Sequence, residues 1–367
     1  EPMLPPSAYA LAASRHMHQY GTTRRDLAEV AVAARAWARL NPEAFMRDPL
    51  SIADVLAARM VSDPLSVRDC CLVTDGGGAY VLVRADRARD LPKKPVYVLG
   101  NATAVWNRQI SSMHDLTVTA ASQSGREAYA MAGLQAKDID VVQLYDAFTI
   151  NTLLFLEDLG FCAKGEGGAF VRDGAIAPGG RLPVNTNGGG LSCVHPGMYG
   201  IFALIEAVRQ LRGECGERQV AGATTAIAHG NGGTLSSQST AVLGQGTAVG
   251  WLDATMADPP AFDDRWGAVL MDDCQLFTAT QQAAAFNWFV NAQTPHAGQA
   301  RWVLATSDRP PADLQLREDL RTRLGWGHVF QLQGLAEAER RAVLRRAADE
   351  RGVFLGDEVM DFMLNRF

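Results

Sequence analysis

Apolar residues at Leu27, Val30, Ala31, Ala34 and Ala38 recur at intervals of three and four. Thr23, with Asp26 three positions on, supplies the polar start of a helix. Asn41-Pro42 ends that helix, because the residue before a proline is pushed out of the helical region. A second pattern, short apolar runs broken by glycine, predicts two strands over 71–83 around Asp75-Gly76-Gly77-Gly78, and one over 96–99 after the Pro92–Pro95 punctuation. The pattern then alternates. A helix is expected over 120–132 with Gly133 as its stop, a strand over 141–145, and a helix over 147–159 ended by Gly160. Ile201, Leu204, Ile205, Val208 and Leu211 line one face of a helix that begins near Gly200. Strands over 220–228 and 235–243 are split by a glycine turn. Strands interleaved with helices predict an α/β fold.

Near Gly250 the pattern changes, and 244–250 reads as a very short linker. After it come a strand at Trp251, a Pro-rich loop, a strand ending at Met271-Asp272-Asp273, a helix through 283–292 and a strand over 302–305. From Leu335 the character is wholly helical: Val343, Leu344, Ala347 and Ala348 share a face, Gly352 closes that helix, and Val359, Phe362 and Met363 begin another. The expected boundaries divide the chain into 1–92, 93–249, 250–333 and 334–367.

Composition adds limits. A chain of 367 residues with 47% hydrophobic content supports two or three packed domains, and a net charge of −6 without long runs leaves no nucleic-acid footprint. The six cysteines, Cys70, Cys71, Cys162, Cys193, Cys215 and Cys274, show neither metal-ligand spacing nor a disulfide framework. They read as reduced thiols of a cytoplasmic protein with no membrane span.

The densest chemistry lies in Gly188-Gly-Gly-Leu-Ser-Cys-Val-His-Pro-Gly-Met-Tyr-Gly200. His195 sits in a glycine-rich turn ahead of a helix, where backbone N–H groups stabilise negative charge and favour neutral imidazole. That suits a base facing an anionic intermediate; the alternative is a tight turn with a satisfied loop histidine. Leu144-Tyr145-Asp146-Ala147-Phe148 and Ala228-His229-Gly230-Asn231-Gly232-Gly233 each follow an expected strand, the place where α/β sites form. Taken singly, Tyr145 is also a packed aromatic and His229 a turn residue.

Tyr-Asp-Ala-Phe, then Gly-Gly…His-Pro-Gly, then His-Gly-Asn-Gly-Gly resembles the carboxyl-terminal active-site motifs of the thiolase superfamily, above all its sterol-carrier-type and lipid-transfer or aldolase branch. Tyr20-Gly21-Thr22-Thr23, Asn41-Pro42 and Asp75-Gly76-Gly77-Gly78 fit the same resemblance, which covers about 8–249. It implies a layered α/β fold, with 1–92 as the remainder of one domain and 93–249 as the next, and a coenzyme A thioester as substrate. It implies that His195 activates a nucleophilic cysteine and helps bind the thioester oxygen, and that Tyr145 takes the place of a residue positioning an oxyanion-hole water. His229 stands where thiolases usually carry the acid/base cysteine. Tyr145 and Tyr199, beside Asp146, become the acid/base candidates of an aldolase, and Gly188, Gly189, Gly232 and Gly233 the backbone that receives the thioester. The nucleophilic cysteine belongs to a segment upstream of the matching residues. A homodimer and a zinc-ribbon/OB-fold partner are implied as well.

Beyond Gly250, an apolar strand ending in Asp272-Asp273, a second strand ending in Thr306-Ser307, Asp319-Leu-Arg-Thr-Arg323-Leu, and then a helical tail resembles the DnaA-related, Hda-type AAA+ regulators. The resemblance implies a partial AAA+ core over 250–333 and a partial helical lid over 334–367. In it Asp272 and Asp273 would be the acid pair, one aimed at magnesium and its neighbour at water, and Arg323 an arginine finger acting in trans. The alternatives are acids that merely end a surface strand and an ordinary salt bridge of Arg323 at a lid hinge. DnaA and the sliding clamp are the implied partners, with ATP or ADP and Mg bound only where a Walker A segment is present. Two partial resemblances meeting at so short a linker predict a fusion of two fragments rather than one machine.

Overall fold

The computed structural model describes residues 5–88, 91–245, 249–263, 266–294, 301–332, 336–349 and 356–366. The chain divides into two compact units, Glu1–Ala248 and Val249–Phe367.

The first unit opens with two helices, α1 (Pro5–Tyr20) and α2 (Arg24–Arg39). Thr23 and Asp26 close a reciprocal capping box at the start of α2, as the sequence predicts. The earlier helix α1 has no counterpart in the sequence reading; its run of alanines gives a weak polarity contrast, although it buries Ala8, Tyr9, Ala12, Ala13 and His16. A short helix α3 (Ile52–Ala57), a small hairpin of β1 (Met60–Ser62) and β2 (Leu65–Ser66), and a single turn α4 (Ala85–Ala88) follow. The two strands expected over 71–83 do not form. Cys70 makes one isolated bridge to Phe148, and the remainder runs without a ladder, leaving Val73, Tyr80, Val81 and Leu82 exposed. Strand propensity is expressed only where a partner strand supplies the hydrogen bonds, and among the described residues none is aligned there.

The rest of the unit is built on a four-stranded sheet in the order β3-β6-β5-β4, from β3 (Tyr97–Val105), β4 (Val141–Leu144), β5 (Thr225–Gly232) and β6 (Ser237–Gly244). β4 and β5 run parallel; the other neighbours are antiparallel. Between them come α5 (Ala121–Ala132), α6 (Thr149–Asp158), α7 (Gly167–Phe170) and α8 (Gly200–Arg212). α5 packs on β3 and β6, and α8 on β4 and β5. Gly100 allows the first packing, since a Cβ there would lie 2.2 Å from the Ala128 carbonyl oxygen. One core gathers α1, α2, α6 and the sheet around Leu153, Leu154, Phe155 and Leu156, so residues on both sides of the expected 92/93 boundary share an interior.

The second unit has a parallel three-stranded sheet, β7 (Val249–Leu252), β8 (Ala268–Met271) and β9 (Trp302–Ala305), in that order. Helix α9 (Ala279–Gln293) packs on β8 and β9, and α10 (Glu318–Leu324) packs on α9. Trp266, Val269, Met271, Trp288 and Leu320 form the core. The closing helices α11 (Glu337–Asp349) and α12 (Asp357–Arg366) are paired by Arg341 to Asp361 and by Arg345 to Asp357, the latter at 2.7 Å. β6 and β7 run into both ends of the expected linker; residues 246–248, like Leu335 and Gly352, lie outside the described ones. Among the described residues no helix is long and apolar enough to cross a membrane.

Candidate active site

β4 ends at Leu144, and the chain turns sharply to place Tyr145 and Asp146 ahead of α6. The Asp146 carboxylate is fully buried and accepts the Gly190 N–H at 2.6 Å and the Leu191 N–H at 3.4 Å. It therefore holds down a single π turn, Gly189–Cys193, at the centre of the glycine cluster. Only glycine fits here. Gly188 has φ +103° and packs on Ala38, and at Gly189, with φ +64°, a Cβ would lie 2.0 Å from Asp146 Oδ2. From the other side Arg35 Nε donates to Ser192 Oγ at 2.9 Å, and Asn41 Nδ2 to the Asn187 carbonyl at 2.9 Å. Burial pushes the Asp146 carboxyl up to about 7, against the lowering effect of the N–H groups it accepts from.

His195 leaves this turn with its ring half-buried. It meets the Tyr145 ring edge-on at 5.5 Å and stacks with Tyr199 at 6.4 Å. Among the described residues its buried Nε2 has no hydrogen-bond partner. Burial lowers its pKa below the usual histidine value, so the ring is neutral at pH 7 and able to accept a proton. Desolvation is the cause at work; α8 begins only at Gly200. The Tyr145 hydroxyl donates to the Gly197 carbonyl at 3.1 Å. The Tyr199 hydroxyl donates to Asn187 Oδ1 at 2.9 Å, and burial raises its pKa well above 10. Its proton is thus committed to a buried amide, whereas the Tyr145 hydroxyl donates to a loop carbonyl and accepts from the Tyr199 backbone.

His229 is placed differently from the sequence reading. β5 starts later than expected and continues through Gly232, so His229 lies inside the strand, opposite Thr240, rather than after it. Its ring is fully buried against Phe155. Nδ1 lies 2.9 Å from Thr240 Oγ1 and Nε2 lies 2.9 Å from Gln238 Oε1. Gln238 Nε2 donates to Asn231 Oδ1 at 2.7 Å, so the oxygen of Gln238 faces the histidine, which makes Nε2 the protonated nitrogen. Both nitrogens are used, and burial lowers the pKa to about 4. A ring locked in this way is a strut of the sheet, and an acid/base role for it requires breaking one of these bonds. Gly232 ends β5 and Gly233 opens the turn to β6, where the Gly233 carbonyl accepts the Tyr9 hydroxyl at 3.2 Å.

The structure thus gathers Tyr145, Asp146, Gly188, Gly189, His195 and Tyr199, and sets the His229 ring in a separate polar chain. Sequence reasoning missed Thr74, Asn187 and Tyr9. Thr74 had a signal, its place beside the Asp75-Gly76 pair; Tyr9 lies in the unassigned α1. Of the nearby thiols, burial pushes Cys71 and Cys193 both up to about 12, so neither is a thiolate at neutral pH.

In the second unit the Thr306 hydroxyl donates to Asp272 Oδ1, and the Asp273 N–H donates to Thr306 Oγ1 at 2.9 Å. The acid pair and Thr306 thus meet at the ends of adjacent parallel strands, while the Ser307 hydroxyl turns to the Arg309 carbonyl at 2.6 Å. Arg323 lies over Phe286 at 4.4 Å and donates to the Asp319 carbonyl at 3.1 Å.

Residues 102–245 match the thiolase C-terminal domain-like family. The chain is 43% identical over 231 residues to an acetyl-CoA acetyltransferase of Methanothermobacter thermautotrophicus, covering 62% of this chain and 60% of that protein. It is 40% identical over 220 residues to the 17-hydroxy-3-oxo-4-pregnene-20-carboxyl-CoA lyase of Mycobacterium tuberculosis, covering 57% of this chain and 55% of the lyase. Among solved structures, the Ltp2-ChsH2(DUF35) aldolase superimposes with a TM-score of 0.62 at 37% identity, over 66% of this chain and 64% of the other. The chain therefore spans less than two thirds of the length of these relatives. Residues 102–245 are thus similar to the thiolase C-terminal domain-like family, and they carry a mixed α/β fold like that of the aldolase.

Proposed function

We propose that the first unit contributes the carboxyl-terminal part of a site for carbon–carbon bond formation or cleavage on coenzyme A thioesters. The observation that carries this reading is the buried Nε2 of His195, without a partner among the described residues and beside Tyr145 in a glycine-lined turn. A neutral imidazole in that position accepts a proton from a nucleophile or, once protonated, donates to a thioester oxygen. The Tyr145 hydroxyl is the second acid/base candidate, and Asp146 and the glycines hold both in place. The relatives favour the same chemistry: one is named for acetyl transfer from coenzyme A, and another is a coenzyme A thioester lyase. As partners we propose a second copy of the chain and a DUF35-type subunit, the reading of the zinc-ribbon/OB-fold partner suggested by the named aldolase pair. Binding of acetyl-coenzyme A by calorimetry tests the site: His195→Ala is expected to weaken it roughly tenfold, the worth of one buried hydrogen bond. Equal affinity in the two proteins refutes the assignment of His195.

A second reading concerns Val249–Phe367, which lies wholly outside the 102–245 match. The contact of Asp272 with Thr306 across adjacent parallel strand ends favours a nucleotide-type sheet. On that basis we propose Hda-type stimulation of DnaA-bound ATP hydrolysis through Arg323. Hydrolysis by DnaA with the sliding clamp present should rise on adding this chain and fail to rise with Arg323→Ala; no rise with the unaltered chain sinks the reading.

A further inference from the structure

Among the described residues the segment at 71–74 forms no strand pair, yet three of its four N–H groups are engaged. Cys71 N–H donates to the Ala147 carbonyl and Leu72 N–H to the Gly190 carbonyl, each at 2.9 Å. Thr74 N–H donates to the His195 carbonyl at 3.3 Å, and His195 N–H donates to Thr74 Oγ1 at 3.0 Å. One short stretch therefore laces together the loop that carries Tyr145 and Asp146 and the loop that carries His195. Past Thr74 the chain packs closely on Val194 and on side chains of α8. A Cβ at Gly76 would be 2.9 Å from Val194 Cγ2, and one at Gly78 would be 2.6 Å from Ile205 Cδ1.

The glycine loop is thus pinned at two points by different means. Asp146 takes the N–H groups at its start, Gly190 and Leu191. Thr74 takes the N–H at its end, on His195 itself. The second pin matters because the imidazole has aromatic neighbours but, among the described residues, no partner on Nε2, so the aim of the ring follows its backbone. We infer that Thr74 is the positioning residue of His195: its hydroxyl, by accepting the His195 N–H, fixes where the base points. The inference deepens the proposed function, on which it rests for what the base does. Positioning of this kind is measurable without any reaction, because the hydrogen bond itself has a readout.

Amide hydrogen exchange of the full chain, read at His195 and Gly190, tests it. Thr74→Val keeps the shape but removes the acceptor, and should speed His195 exchange roughly tenfold while leaving Gly190 protected by Asp146. Thr74→Ser restores the acceptor and should exchange like the unaltered chain. Affinity for acetyl-coenzyme A should fall in Thr74→Val and recover in Thr74→Ser. Unchanged His195 exchange in Thr74→Val overturns the inference, and so does equal acceleration at Gly190, which would mean general loosening. Thr74→Ala serves the same comparison if the valine variant does not fold. Should the unaltered chain bind no acetyl-coenzyme A, the proposed function fails while the exchange comparison still decides the role of Thr74.

Discussion

His195 and His229 both come from motifs that share one feature in the sequence, a histidine beside glycines, the first ahead of a helix and the second after an expected strand. The fold treats them in opposite ways. His195 hangs from a π turn that glycine makes possible, with its backbone bonded and its Nε2 free among the described residues. His229 lies within a strand, with both ring nitrogens bonded and its ring against Phe155. Its network runs on through Gln238 and Asn231 to Tyr9, with Asn231 Nδ2 donating to the Tyr9 hydroxyl at 2.9 Å. The comparison teaches that a candidate base is recognised less by its residue type than by which of its atoms the fold leaves unspent. A satisfied buried network rigidifies; a single unspent nitrogen beside aromatic walls is available for chemistry.

The strongest way to break this comparison is to attack the π turn. Gly189→Ala would force a Cβ onto the buried Asp146 carboxylate at a positive φ. It should cost the first unit about 3 kcal/mol or more, from strain plus a displaced buried charge. Urea unfolding followed by near-ultraviolet circular dichroism would check this, and a loss below about 1 kcal/mol would show that the turn is not the rigid support described here.

A smaller effect sharpens the comparison through pH. The folded-state pKa of His229 is depressed to about 4 from an ordinary 6.5, so between those values the unfolded chain binds the extra proton. Its contribution to stability is present above 6.5 and is lost as pH falls toward 4. Asp146 is raised to about 7 from an ordinary 3.8, so here the folded chain binds the extra proton. Its contribution is present below 3.8 and is lost as pH rises toward 7. Between pH 5 and 6 the two slopes oppose each other, each about 1 kcal/mol per pH unit. Relative to the unaltered chain, Asp146→Asn should gain about 1 kcal/mol of stability across that interval, and His229→Gln should lose about as much. Parallel curves for the three proteins would mean that neither group is as deeply desolvated as its surroundings indicate.

Much of the architecture was legible. Thr23 and Asp26 announced α2, Gly133 stopped α5, and the apolar face from Ile201 to Leu211 announced α8, because caps and helical periodicity are local signals. The run at 71–83 was misread because its apolar residues satisfy a strand's composition without showing whether a partner strand is present. His229 was placed after its strand rather than in it, since the glycines around it look like a turn until Gln238 and Thr240 extend the ladder. α1 went unseen because alanine carries too little contrast to mark a face.

The sequence by itself determined the alternation of helices and strands, the change of character at Gly250 and the order of the three site motifs. All of these are properties of neighbouring residues. Only the tertiary structure decided which histidine is spent, that Asp146 holds the loop and that Thr74 reaches His195 across 121 positions. Those outcomes depend on which donor meets which acceptor once distant segments are packed and water is excluded. A linear pattern carries the groups but not their pairing.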